Sequence, residues 1–307
     1  MPKLDRRVAA AFAALFGVAL VLAVPAAVSA WGEVGHRITG EAAALKLPAE
    51  MPAFVRNATK QLTYLNPEPD RWRSRVESAI DPALDRATAP EHFIDLELVP
   101  PDVLARALKA ADRFAYLDTI RAAGKSGIVM GLLPFRALEL SQRLREEFRL
   151  WRAAPDSTRP FIEARIINDA GILGHYIADG SNPMHTSIHY NGWSGPNPNG
   201  YATDRSGPGV HARFESVYVE THVTVADVLP LIDATARVFP DLRAAIVTYL
   251  TASNAETEHT YQLDKAHPFN ATTTAAENKA FVAKRLAAGA QMLRDVWYTA
   301  WMTSAPH

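Results

Sequence analysis

The chain contains no cysteine. Disulfides and thiolate metal sites are therefore excluded, and any bound metal must be held by His, Asp, Glu or the main chain. A basic excess is also missing, since Lys+Arg 32 and Asp+Glu 33 leave a formal net charge of −1. Such a balance is not the footprint of a protein that tracks a nucleic-acid backbone through its own charge. If the substrate is a phosphodiester, bound metal must supply much of the positive field. Internal repeats and low-complexity blocks are absent. Strand-like alternation is scarce, so the expected fold is all-α.

The 307 residues are 48% hydrophobic, enough for a sizeable core in one large domain or two small ones. Residues 1–30 read as an export signal. Lys3, Arg6 and Arg7 form a basic start, an apolar run follows from Val8 to about Val28, and Val28-Ser29-Ala30 has the small-x-small form of a cleavage site before Trp31. An uncleaved membrane anchor is the competing reading, because the run nearly spans a bilayer. Arg6-Arg7 also permits a twin-arginine signal, in a poor surrounding pattern. Each reading places the product outside the cytoplasm, periplasmic or secreted. Removing the leader takes three basic residues and Asp5, leaving 29 Lys+Arg against 32 Asp+Glu, a net charge of about −3.

Residues 31–307 read as a single, mostly helical domain. An Ala-rich helix is expected from the Trp31–His36 stretch to about Leu47, ended by Pro48 and Pro52. Helical periodicity recurs from about Asp102 to Ala123 and from Pro134 to Trp151. The organising helix starts after Pro160. Its apolar positions Ile166, Ile167, Ala170, Leu173, Ile177 and Ala178 bury it, with Gly180 as C-cap and Asn182-Pro183 turning the chain away. From Thr186 to Gly209 runs a Gly-, Pro- and Asn-rich loop carrying Tyr190, Trp193 and Tyr201, which either pack it down or offer a stacking surface. Another helix is expected near Val210, and a last one follows a capping box at Thr274-Ala-Ala-Glu277.

His175 and Asp179 are four apart, so both side chains share one helix face. His185 follows the cap, and His211 and Glu215 repeat the four-residue spacing. With His36, Asp70 and His92 they make a set of nitrogen and oxygen donors suited to a divalent ion. From Trp31 to Glu215 the chain resembles the single-strand-specific zinc nucleases (the S-one/P-one type) and their zinc-dependent phospholipase C relatives. His175, Asp179 and His185 reproduce that superfamily's H-x(3)-D-x(5)-H pattern. The resemblance implies an all-α domain with three zinc ions in a cleft. It assigns Asp70, His92, His175 and Asp179 to the first zinc and His185, His211 and Glu215 to the second. The third falls to the Trp31 amine and carbonyl, His36 and bridging Asp179. A free, deprotonated amine at Trp31 is the reason signal cleavage would matter.

Clustered divalent ions lower the pKa of bound water toward 7 and stabilise the anionic transition state of phosphodiester cleavage. Asp70-Arg-Trp-Arg73 fits the nucleases' Asp-x-x-Arg, so Asp70, Arg73 and Asp179 are expected at the chemistry, with Arg73 on phosphate. Phe93 and Asp95 match positions that stack on a base and hydrogen-bond its edge, although a His-Phe-x-Asp string also appears in the lipases. Glu215 leans toward the phospholipases, and the five-residue step from Trp31 to His36 leans toward the nucleases. The gap from Asp70 to His92 is longer than usual, which makes Asp81 a rival first-zinc ligand. His189, His222, His259, His267 and His307 have no place in the pattern. Single-stranded nucleic acid or a nucleotide phosphoester is the expected substrate, phospholipid the alternative, and no protein partner is implied. A non-catalytic metal-binding helical protein is a third reading.

Overall fold

A computed structural model describes residues 31–204 and 209–305. The leader expected at 1–30 and its cleavage site on that side lie outside the described residues, as does His307. Six helices frame the site: α1 (Gly32–Leu45), α2 (Thr59–Leu65), α3 (Leu133–Ala153), α4 (Arg159–Asp179), α5 (Leu242–Asn254) and α6 (Ala276–Met302). Shorter helical turns connect them, and among the described residues there is no strand, only an isolated bridge between Tyr190 and Gly192. The domain is therefore all-helical, as the periodicity implies. None of its described helices is long and apolar enough to cross a membrane.

The centre of the packing is α4. It meets α3, α1, α2 and α6, and every residue from Asp169 to Asp179 is buried. A helix buried all round needs apolar residues on every face, which Ile166, Ala170, Ile172, Leu173, Ile177 and Ala178 supply. Its polar residues His175 and Asp179 must then find partners inside the protein. Two glycines let a neighbour come close: a Cβ at Gly171 would meet Leu65 Cβ at 2.4 Å, and one at Gly174 would meet Asn66 Nδ2 at 2.3 Å. The end of α2 thus lies directly on the ligand-bearing part of α4. From the other side Trp297 of α6 donates its indole N–H to Ala170 O at 3.1 Å.

Several sequence expectations shift in detail. The stretch from Asp102 to Ala123 is two helices, Pro101–Leu108 and Arg113–Ala122, because Asp112 caps the second through Phe114 N and Ala115 N. Gly180 does close α4, but with φ −60°, so its lack of a side chain serves space rather than a left-handed turn. A Cβ there would meet Tyr249 Cε1 at 2.7 Å. At the last helix no capping box forms: α6 starts at Ala276 behind Ala275, with no side-chain cap bond. The region after Val210 is helical, but Arg213–Val217 is a π-turn between two short α segments.

Candidate metal centre

Eight side chains converge in three groups, the first two sharing His175: His36, His175 and Asp179; Asp70, His92 and His175; His185, His211 and Glu215. All eight sequence-expected side-chain ligands are among them. In each group the donor atoms lie within 4.8 Å of one another. Asp179, the last residue of α4, sits between the groups, with Oδ1 3.4 Å from His36 Nε2 and Oδ2 3.1 Å from His92 Nδ1 and 3.3 Å from His175 Nε2. Asp70 Oδ1 is 3.8 Å from both His92 and His175, and its Oδ2 is 3.9 Å from His36. Asp81, the rival, is exposed and accepts from Ala83 N at 2.9 Å instead. Geometry therefore selects Asp70.

The third group is built around Glu215. Its Oε2 lies 2.7 Å from His211 Nε2 and 3.5 Å from His185 Nε2, and accepts from Asn182 Nδ2 at 3.1 Å. The same oxygen accepts from the main-chain N of Trp31, also at 3.1 Å. Trp31 is fully buried, and among the described residues it alone has a positive φ (31°) without being glycine. That costly conformation is held by its indole N–H, which reaches Ala178 O at 2.8 Å and Ser181 Oγ at 3.0 Å. The main-chain nitrogen of residue 31 is thus locked against the cluster.

Hydrogen bonds on the outer side of the rings decide what the inner nitrogens are. His175 Nδ1–H donates to Asn66 O at 3.0 Å, and His185 Nδ1–H donates to His92 O at 2.6 Å. A main-chain oxygen only accepts, so in the neutral form of either ring Nε2 carries the lone pair. These lone pairs face carboxylate oxygens, the Nδ1 of His92 at 2.9 Å from His175, and the Nε2 of His211 at 3.1 Å from His185. His36 Nε2, Asp179 Oδ1 and Glu215 Oε1 are buried with no hydrogen-bond partner. Where two such acceptors face each other without a proton between them they repel, and a cation there removes the repulsion. The C-terminal end of α4, with its own partial negative charge, adds to that demand. The donor set fits divalent metal, with His nitrogens backed by oxygen acceptors in the usual manner of metal ligands.

Protonation tendencies agree at the histidines and run the other way at Glu215, which only a bound cation would keep ionised near pH 7. Burial pulls His92 and His211 down to about 4, so both are neutral near pH 7. Burial pushes Glu215 up to about 8 against the opposing pull of His185. Asp179 is raised by burial, but His175, His185 and His36 outweigh it and hold the carboxyl well below its ordinary value.

Beside the third group opens a pocket of about 380 Å³ lined by Phe93, Asp95, Val129, Met184, His185, Tyr190 and His211. Its floor is positioned by main-chain bonds: Ile94 N donates to His185 O at 2.8 Å and Asp95 N to Met130 O at 2.8 Å. Phe93 and Asp95 therefore stand next to the ligands, as expected. Of the loop aromatics, Trp193 and Tyr201 pack on Tyr261, whereas Tyr190 is 43% exposed at the pocket. Arg73 follows Asp70 by less than a turn, and its Nε donates to Asp85 Oδ1 at 3.1 Å.

No protein-family model, curated protein or solved structure matches the chain.

Two residues of the site escape sequence reasoning. Asn182 anchors Glu215, and Asn66 accepts from His175 and lies 3.1 Å from His36 Nδ1. Both read in the sequence only as turn formers before proline, because a hydrogen bond across the fold leaves no local pattern.

Proposed function

We propose that the chain is an exported, zinc-dependent phosphodiesterase that cuts single-stranded nucleic acid or nucleotide phosphoesters. One observation carries this reading. Eight donors, seven of them buried and Asp70 partly so, meet with histidine nitrogens facing carboxyl groups, next to a pocket walled by Phe93 and Tyr190. Asp70, His92, His175 and Asp179 would hold one ion, and His185, His211 and Glu215 a second. His36, Asp179 and the main chain of Trp31 would hold a third, once cleavage before Trp31 frees its amine. Ions bound there supply charge neutralisation for phosphate oxygens and activation of water.

The protein's own part is orientation. Asp179 faces three imidazoles and fixes the spacing of the groups. Phe93 offers a ring face to a planar base, and Asp95 a carboxylate to its hydrogen-bond donors. For Arg73 to contact phosphate it must leave Asp85. A phospholipid substrate is the second reading. It is favoured by a pocket lining without Lys or Arg, and by Val129 and its neighbour Ile128, exposed at 57% and 58%.

The test is turnover by purified protein beginning at Trp31, with and without chelator. Substrates are single-stranded DNA and RNA, a nucleotide 3′-phosphate and phosphatidylcholine vesicles. Chelator-sensitive cleavage of the single strands is expected. Turnover of the lipid alone would reverse the order of substrates, and a zinc-loaded protein inert on all of them would be a binding protein and no enzyme.

A further inference from the structure

The orientation of two histidines in the cluster converges on one buried asparagine. Asn66 follows the last residue of α2 and is fully buried. Its side-chain Oδ1 lies 3.1 Å from His36 Nδ1, and its main-chain oxygen lies 3.0 Å from His175 Nδ1. The two rings stack on each other at 3.9 Å between centroids and 17° between planes. Their outer nitrogens thus point toward the same residue while their Nε2 atoms point to Asp179.

The amide's other end has no such use. Asn66 Nδ2 is buried without a hydrogen-bond partner, an arrangement that costs free energy on the order of 1–3 kcal/mol. An apolar residue would avoid that cost, so the group that compensates for it is the oxygen. The surrounding helices also make room for this side chain. A Cβ at Gly40 of α1 would meet Nδ2 at 2.9 Å, and one at Gly174 of α4 would meet it at 2.3 Å. Glycine is a poor helix former, disfavoured by about 1 kcal/mol against alanine, and here it stands on both helices that flank the amide.

We propose that Asn66 is a positioning residue of the candidate metal centre: its side-chain oxygen holds His36, and its main-chain oxygen holds His175, each with Nε2 turned to the carboxylates. The proposal rests on the metal-centre reading and adds to it an asymmetry. Substitution removes only the side-chain acceptor, so the two histidines respond differently. His36 loses its guide and His175 keeps its own.

The experiment compares zinc content and zinc affinity of wild type, Asn66→Asp, Asn66→Leu and Asn66→Ala, using protein beginning at Trp31. Histidine ring tautomers are read by ¹⁵N NMR. Asn66→Asp retains an oxygen at the same place and is expected to keep the wild-type zinc count and the His36 tautomer. Asn66→Leu is expected to lose the ion at His36 or hold it about 10- to 100-fold more weakly, the usual consequence of removing a ligand's outer partner. The His175 tautomer should stay unchanged in it. Asn66→Ala, which creates no overpacking, serves the same purpose if the leucine variant does not fold. Wild-type affinity in Asn66→Ala, or a loss in Asn66→Asp equal to that in Asn66→Leu, overturns the role of Asn66 alone. A wild-type protein that binds no zinc overturns the metal centre and this role together.

Discussion

His185 donates its Nδ1–H to the main-chain oxygen of His92 at 2.6 Å. The bond joins two ligand groups through the backbone: the residue that supplies an imidazole to one group orients an imidazole of the other. Two residues on, the connection continues, with Ile94 N donating to His185 O at 2.8 Å. Two chain segments far apart in sequence are stitched into one wall, and the pocket opens along it. Side-chain substitution at His92 leaves that oxygen in place, so its effect on His185 is indirect.

The overlap of the groups makes ion loss unequal. Asp179 is a proposed ligand of two ions, with Oδ1 toward His36 and Oδ2 toward His92 and His175, whereas His211 serves one. Asp179→Ala is therefore expected to lose about two ions per chain, and His211→Ala about one, on the general ground that a missing ligand empties its own centre. Elemental analysis of the purified variants checks this. Equal losses would mean that the three groups load as a single unit.

A buried acid away from the pocket contributes to the pH dependence of folding. Glu147 on α3 faces Asp169 on α4, with Arg143 Nε at 3.6 Å and Arg165 Nε at 3.4 Å from its Oε1. Burial, reinforced by Asp169, pushes its carboxyl from 4.5 up to about 7 against the pull of the two arginines. Between those values the folded state binds more protons than the unfolded state, so this group's contribution is largest below 4.5 and is lost as pH rises through about 7. Glu147→Gln removes the ionisation. The variant's melting temperature relative to wild type should therefore rise from pH 5 to pH 8. A constant difference over that range would show that Glu147 ionises freely in the fold.

Much of this architecture is legible in the sequence because its signals are local. The 3.6-residue pattern around His175 and Asp179 marks α4, and i,i+4 spacing puts both side chains on one face. The candidate ligands are legible by residue type and spacing, with His175 and Asp179 four apart, His185 just past the helix, and His211 and Glu215 repeating the four-residue step. Other features are invisible for physical reasons. Main-chain acceptors such as the oxygens of Asn66 and His92 have no residue signature. His211 and Glu215 show the same spacing whether the turn between them is α or π. Thr274 and Glu277 match a capping box by type, but the helix begins one residue too late for the threonine to be its cap.

Close approach between α2 and α4 makes Gly171 a sensitive position. On an exposed helix Gly→Ala would stabilise by about 1 kcal/mol. Here the added Cβ would lie 2.4 Å from Leu65 Cβ, an atom fixed to the backbone, and overpacking of this kind costs about 1–3 kcal/mol. The clash wins. Gly171→Ala is expected to lower the denaturant midpoint, and also to weaken zinc binding because Asn66 follows Leu65. A stabilised variant would mean that α2 yields easily, and that the glycines do not set the distance from Asn66 to His175.

The pocket separates a role in binding from a role in packing. Phe93 lines it together with Asp95 and Tyr190, yet belongs to none of the ligand groups. If its ring stacks on a base, Phe93→Ala should forfeit roughly 1–3 kcal/mol of binding, the range seen for base–aromatic contacts. Each 1.4 kcal/mol is a factor of about ten. The KM for a single-stranded oligonucleotide should therefore rise about 5- to 150-fold while kcat changes little, since the donors around the reacting phosphate are untouched. A phosphodiester without a ring provides the control, because it has nothing to stack and should lose nothing. Equal damage on both substrates would instead mean that Phe93 supports the wall carrying His92 and His185. In that event the specificity of the pocket would have to come from Tyr190, the aromatic on its lining that is 43% exposed.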